Sequence, residues 1–244
     1  MKQFDHKEID QEGREILESI GSAKCFNKWM YESIKPWSAG KVLEIGSGIG
    51  NISQFFVNDG FTIMLSDLRE DYFNELRIKF QDKRELLGIT QMDIVDPEFP
   101  TKFQHLKETF DTIFALNVVE HIYDDVLALK NCKSLLKPGG NLIILVPAYQ
   151  GLYGSIDAAL EHYRRYTKSS LTTVFTRSKF QIVHRQYFNF MGVFGWFVFG
   201  KIFRQNTIGG GQMRLYSLLV PIFRIIDKLL LHSAGLSVIV VGKK

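Results

Sequence analysis

Three glycines, Gly46, Gly48 and Gly50, follow closely on an acid in the stretch Lys41-Val-Leu-Glu-Ile-Gly-Ser-Gly-Ile-Gly-Asn51. Glycine tolerates positive φ and lets a ligand come within contact distance of the main chain. The stretch is therefore suited to a nucleotide-type ligand, or to a strand-to-helix turn that needs glycine for packing alone. A dinucleotide fingerprint is excluded by spacing, because the third glycine comes one residue early and Glu44 precedes the first by two. Asp67, Asp93 and Asn117 each close an apolar run further on. A carboxylate at Asp67 can accept hydrogen bonds from both hydroxyls of a ribose, and one at Asp93 can accept from an adenine amino group. Singly, such an acid is more often an Asx turn or a helix cap; several in register at successive strand ends are harder to attribute to caps. His121 and His162 carry imidazoles that titrate near neutrality. Arg164 and Arg165 offer planar forks for carboxylate or phosphate, with a surface ion pair as the plainer role.

The elements that must position these groups alternate with a steady period, the pattern of a parallel α/β sheet. Apolar runs at 42–45, 61–66, 87–91, 110–116, 141–146 and 180–187 read as strands, with a last strand at 236–241. Helices are predicted between them at 51–58, 69–83, 124–136 and 168–178. Lys137-Pro-Gly-Gly140 reads as a turn. Residues 1–40 read as a helical cover, exposed at first and then amphipathic around 16–34, and broken at Pro36. In an open α/β sheet ligands sit beyond the carboxyl ends of the strands, where Glu44, Asp67, Asp93 and Asn117 fall.

The chain of 244 residues is long enough for one large domain, with 45% hydrophobic and 23% charged residues as in ordinary globular proteins. Cys25 and Cys132 lack the spacing of a metal-ligand pair or a disulfide framework, so no metal is expected and a reducing cytoplasm is the expected location. The amino-terminal stretch is charged and has no apolar core, so no secretory signal is expected. Net charge is +4, but 185–233 alone carries six basic residues against Asp227, which leaves the rest of the chain slightly acidic. That basic stretch overlaps an aromatic-rich insertion at 188–234, with Gly209–Gly211 as an expected hinge. Its uncharged run is too short to span a bilayer, and Pro221 and Arg224 break its second apolar run. A lid over an apolar acceptor, a membrane contact and a dimer interface remain open for it.

With Glu44-Ile-Gly-Ser-Gly-Ile-Gly50, Asp67, Asp93, Asn117 with Glu120-His121, and Leu136-Lys-Pro-Gly-Gly140, the chain resembles the class I S-adenosylmethionine (SAM) methyltransferases over roughly residues 24–147. The resemblance implies a doubly wound, seven-stranded, mostly parallel Rossmann-like sheet with an antiparallel last strand, here with a long apolar insertion before it. It implies that Gly46, Ser47, Gly48 and Gly50 pack against the methionine part of SAM and that Glu44 holds its amino group. Asp67 with Leu68 would take the ribose, Asp93 with Ile94 the adenine, and the Asn117 backbone the methionine end. A narrower likeness lies in Val146–Asp157 and Glu161-His-Tyr-Arg-Arg-Tyr-Thr167, which resemble a bacterial methyltransferase subfamily found near glycosyltransferase, polyketide and lipid pathways; that subfamily usually has glycine where Glu161 stands. In this fold the loop after the fifth strand lies over the methyl group, so His162 is the first candidate for a general base and His121 the second. Tyr149, Tyr153, Tyr163, Arg164 and Arg165 on or near that loop are candidate acceptor contacts.

The expected activity is methyl transfer from SAM, leaving S-adenosylhomocysteine, to a small, largely apolar or lipid-linked acceptor. The alternative is a SAM-binding module, or an enzyme that uses SAM without transferring its methyl. Nucleic acid is not an expected partner. The Asn117-Val-Val-Glu stretch lacks the prolines and aromatic of amino-methylating DNA enzymes, and the basic residues interleave with aliphatics rather than stacking aromatics.

Overall fold

The computed structural model describes residues 11–203 and 209–244. The first ten residues, read above as exposed helix, lie outside the described residues, as does Arg204 of the basic insertion. Two helices come first, α1 (Gln11–Ser22) and α2 (Lys24–Ile34), followed by a 3₁₀ turn at Lys35–Trp37. The amphipathic stretch predicted as one helix is thus divided at Ala23, which takes a non-helical φ of −88° and ψ of 61°.

The strands and helices then alternate: β1 (Lys41–Ile45), α3 (Ser53–Asn58), β2 (Thr62–Asp67), α4 (Glu70–Phe80), β3 (Leu86–Gln91), α5 (Phe99–Lys102), β4 (Phe110–Leu116), α6 (Asp125–Leu135) and β5 (Leu136–Pro147). They continue with α7 (Ser155–Ala159), α8 (Lys168–Arg177), β6 (Gln181–Phe188), α9 (Phe190–Trp196), α10 (Gly210–Leu229) and β7 (Ser237–Lys243). The seven strands form one sheet in the order β3-β2-β1-β4-β5-β7-β6. Strands β1 to β5 pair in parallel, and β7 runs antiparallel to both β5 and β6. The doubly wound sheet with an antiparallel last strand is as expected.

Both faces of the sheet are covered, and the side-chain period of two assigns alternate residues to them. Leu43, Ile113 and Leu142 pack with Leu129, Leu171 and Phe175 on one side. Val42, Phe114 and Ile143 pack with Ile34, Phe56, Leu76 and Phe223 on the other. The strand order reverses between β1 and β4, so the loops after these two strands flank the crevice where α/β folds bind ligands.

Three local readings take a definite form. Lys137–Gly140 lies within β5 but bulges out of the ladder: Phe110 pairs with Leu136 and Thr112 with Asn141, so four residues stand opposite one, and Gly139 takes φ of 81° as the expected turn requires. Gly140 O accepts from Lys244 N at 2.9 Å and Lys137 Nζ binds Asp111 at 2.8 Å, which holds the bulge in place. Pro221 and Arg224 interrupt the apolar run as expected, and α10 continues through both while Met213, Val220 and Phe223 pack onto the body. Gly209 precedes α10 while Gly210 and Gly211 form its first turn, so they are not a free hinge.

Candidate active site

The sequence places the glycine loop between β1 and α3, and tertiary contacts fix its shape. Gly46, Gly48 and Gly50 take φ of 70°, 52° and 75°, values that L side chains rarely adopt. A Cβ on Gly46 would stand 2.5 Å from Val118 Cγ2, so the loop lies hard against the end of β4. Gly48 N donates to Asp67 Oδ2 at 2.8 Å, and Arg69 N donates to Asp67 Oδ1 at 3.0 Å. The Asp67 carboxylate is thereby locked to the loop, and burial pushes its pKa up against those amide bonds. Ser47 ties the loop to β2, its N donating to Ser66 O at 2.9 Å and its hydroxyl accepting from Ser66 N at 3.2 Å.

Glu44 is buried beneath the loop and accepts from the Ser53 hydroxyl. Burial pushes its carboxyl up to about 8. Asp93 is half-buried and its Oδ1 accepts from Val95 N at 2.9 Å, an Asx turn at the end of β3. Leu68 and Ile94 follow their acids, and Ile94 O accepts from Asn131 at 2.9 Å. Asn117 stands exposed after β4 with φ of 55°, its N donating to Leu145 O at 2.8 Å.

On the other side of the crevice the loop after β5 folds around one buried acid. Asp157 Oδ1 is 2.9 Å from His162 Nδ1 and accepts from Arg165 Nε at 2.8 Å, and Asp157 Oδ2 accepts from Gly154 N at 2.9 Å. Burial opposes ionisation of Asp157, but the His162 bond and the Arg165 charge outweigh it and hold the carboxyl below its ordinary value. An ionised carboxylate only accepts, so His162 Nδ1 carries a proton and, in the neutral ring, Nε2 keeps its lone pair. The His162 and His121 rings meet edge to face at 4.5 Å. Tyr163 N donates to Glu120 O at 2.9 Å, tying this loop to the 3₁₀ turn Val119–His121 that follows β4.

The arginines and tyrosines of the loop are mostly engaged within the fold. Arg165 is buried and reaches Ala148 O at 3.1 Å, and its guanidinium lies 4.5 Å from the Trp196 ring centroid. Arg164 pairs with Asp125 at 3.0 Å and with Tyr123 O at 2.8 Å. Tyr153 donates to His162 O at 2.8 Å, while Tyr149 takes φ of 62° and stacks on Tyr187 at 5.0 Å. Sequence reasoning passed over Asp157, Trp196 and the role of Glu120. Adjacency to His121 marked Glu120, and an acid five residues before His162 marked Asp157; nothing local marked Trp196.

Residues 17–185 match the family described as Methyltransferase domain. The chain belongs to this methyltransferase family. It is similar to the fumosorinone synthetase of Cordyceps fumosorosea, 30% identical over 108 residues, which are 43% of this chain and 3% of that protein. A ubiquinone biosynthesis O-methyltransferase of Parvibaculum lavamentivorans is 28% identical over 112 residues, 46% of this chain and 42% of the relative. The chain thus spans less than half of either relative. Among solved structures, an S-adenosylmethionine-dependent methyltransferase from Mesorhizobium loti has a TM-score of 0.60 at 14% identity, over 89% of this chain and 98% of that one, a likeness of fold.

The cofactor of this methyltransferase family is SAM, and the residues at the carboxyl ends of β1 to β4 fit it. The glycine loop is free of Cβ atoms where the chain turns, and two carboxylates, Asp67 beside it and Asp93 just beyond β3, suit the hydroxyl and amino donors of a nucleoside. Asp67 is held in place by the loop's own amide.

Proposed function

We propose that this methyltransferase acts on a small acceptor that is largely apolar or carried on a lipid. The observation that supports this reading is the meeting of the aromatic insertion with the loop after β5, where Trp196 covers Arg165 beside the Asp157–His162 pair. SAM supplies, when bound, a methyl group on an electron-poor sulfonium carbon. The chain's own residues have three tasks. Glu44, Gly46, Ser47, Gly48, Gly50, Asp67, Leu68, Asp93, Ile94 and Asn117 hold the cofactor. His162 and His121 activate the acceptor group, with His162 aimed by Asp157. Tyr149, Tyr153 and Tyr163 line the acceptor's path, while Arg165 orders Asp157 and Arg164 braces the loop on Asp125.

The same reading takes α10 as a contact with a lipid surface. Leu215, Leu218, Ile222, Ile225 and Leu229 are exposed and recur along one face of the helix. Lys28, Arg224 and Lys228 rim a groove that also contains Pro221 and Ile225. Apolar burial and attraction of basic residues to anionic lipid would act together there. Among the described residues no helix is long and apolar enough to cross a membrane.

The test is product analysis. Purified protein with isotopically labelled SAM is offered apolar hydroxylated and aminated acceptors, free and lipid-linked, and S-adenosylhomocysteine is measured. Acceptor-dependent product supports transfer. SAM binding by calorimetry with no product from any acceptor would favour a SAM-binding module.

A further inference from the structure

We propose that Glu120, His121 and His162 form a site for one divalent transition-metal ion whose open positions hold the oxygen of a hydroxylated acceptor. The proposal rests on the reading of this end of the sheet as the acceptor side. No metal was expected from the cysteine spacing, and two of the donors here are 41–42 residues from the third in sequence. The fold brings one ligand atom from each to within 4.8 Å of the others.

Glu120 is the strongest pointer. Its side chain is 0% exposed and neither carboxyl oxygen has a hydrogen-bond partner. Buried carboxyls without partners are rare and costly. Arg165 donates through Nε to Asp157 at 2.8 Å and through Nη1 to Ala148 O at 3.1 Å, and its Nη2, also without a partner, makes no hydrogen bond to Glu120. An ion between Glu120 and the two imidazoles would supply the missing partner.

The second pointer is how His162 is held. Its Nδ1 faces Asp157 Oδ1 at 2.9 Å, and Arg165 fixes that carboxylate in turn. A carboxylate behind one ring nitrogen is the usual support of a metal-ligating histidine, because it sets the tautomer and turns the other nitrogen outward. Two imidazoles and one carboxylate suit Zn²⁺, Mn²⁺, Fe²⁺ or Co²⁺ better than Mg²⁺ or Ca²⁺, and three protein donors leave positions open for a water or substrate oxygen. Donors around a tetrahedral ion stand roughly 3–3.5 Å apart, so filling the site draws the three inward. His121 lies in the short turn after β4. Location agrees with the role. Val118, two residues before Glu120, is the side chain that a Cβ on Gly46 would strike, so the cluster adjoins the glycine loop. An ion bound there would lower the pKa of a bound hydroxyl, and the proton would pass to water.

The experiment uses the whole chain, stripped with a chelator and dialysed. Co²⁺ is titrated and followed by visible absorption, Zn²⁺ by calorimetry, and SAM by calorimetry separately. The expected result is one ion per chain in the wild type. Glu120→Gln and His121→Ala, each checked for an unchanged melting profile, should bind it at least about tenfold more weakly. His105→Ala, on an exposed turn, should bind as the wild type does. Pulsed electron paramagnetic resonance of the Cu²⁺-loaded wild type should count two imidazole nitrogens, a readout that needs no variant. SAM affinity retained in Glu120→Gln separates loss of the ion site from failure of the methyltransferase reading. Less than a tenth of an ion per wild-type chain, or equal binding by wild type and Glu120→Gln, would overturn the proposal and leave Glu120 a buried neutral acid.

Discussion

The two sides of the crevice are built on different principles. On the side of β1 to β3 a short contiguous stretch does most of the shaping: glycines at 46, 48 and 50 bend the chain, and a carboxylate 17 residues beyond Gly50, Asp67, pins the bend through Gly48 N. The other side, after β4 and β5, is a knot of charges. Asp157 is buried between His162 and Arg165, Glu120 lies without a partner beside them, and an aromatic ring from the insertion closes over Arg165. In the proposed reading, local backbone geometry makes the cofactor site, and buried, mutually dependent side chains make the acceptor site. Changes on the first side should therefore act on cofactor affinity and stability, and changes on the second on turnover.

The largest effect that sharpens this contrast is expected at His162. His162→Ala should lower kcat by about 10²–10⁴-fold while the SAM dissociation constant moves far less. Steady-state kinetics beside calorimetry would read this split. Turnover within a few-fold of wild type would assign His162 a purely structural part.

On the glycine-loop side the first consequence is one of pH. Burial raises the Glu44 carboxyl from 4.5 to about 8 in the folded chain. A raised folded pKa means that the folded state prefers the protonated form. The contribution is full below the unfolded value and is lost as pH rises through the folded one. Stability measured by urea denaturation should thus fall between about pH 4.5 and 8, by at most about 1.4 kcal/mol per pH unit for this single group. Glu44→Gln should remove that part of the slope; an unchanged slope would mean that the carboxyl is ionised in its site.

Next in size is Asp67→Ala. Losing charge-assisted hydrogen bonds costs roughly 1.5–3 kcal/mol each, so SAM should bind at least about tenfold more weakly to a variant that still folds. Unaltered affinity would break the assignment of the ribose to this acid. The smallest effect on the body of the protein is expected at α10, where Leu218 is 75% exposed. Leu218→Glu should leave thermal stability within about 0.5 kcal/mol yet reduce flotation with anionic vesicles. Wild-type protein that floats with no vesicles and scatters light as a stable dimer would assign the α10 face to a second copy of the chain.

Much of this architecture was legible beforehand for a physical reason. Apolar runs at 42–45, 110–116 and 236–241, and glycine at three positions that adopt positive φ, are local signals that read directly as strands and a turn. The acids at strand ends follow from the same alternation. Lys137–Gly140 reads as a turn and does bulge, with Gly139 at φ of 81°, but only the tertiary structure sets that bulge within β5 and ties it to Lys244.

What the chain determined by itself was the run of strands and helices and the cofactor-side loop, because each depends on residues within a few positions of one another. What tertiary structure alone decided was the acceptor side. Glu120 and His162 share a site only because β4 and β5 are neighbours and Tyr163 N bonds Glu120 O. Trp196 reaches Arg165 only because the insertion folds back over the loop. The ionisation of such groups depends on burial and on partners distant in sequence, quantities that no local pattern of residues encodes.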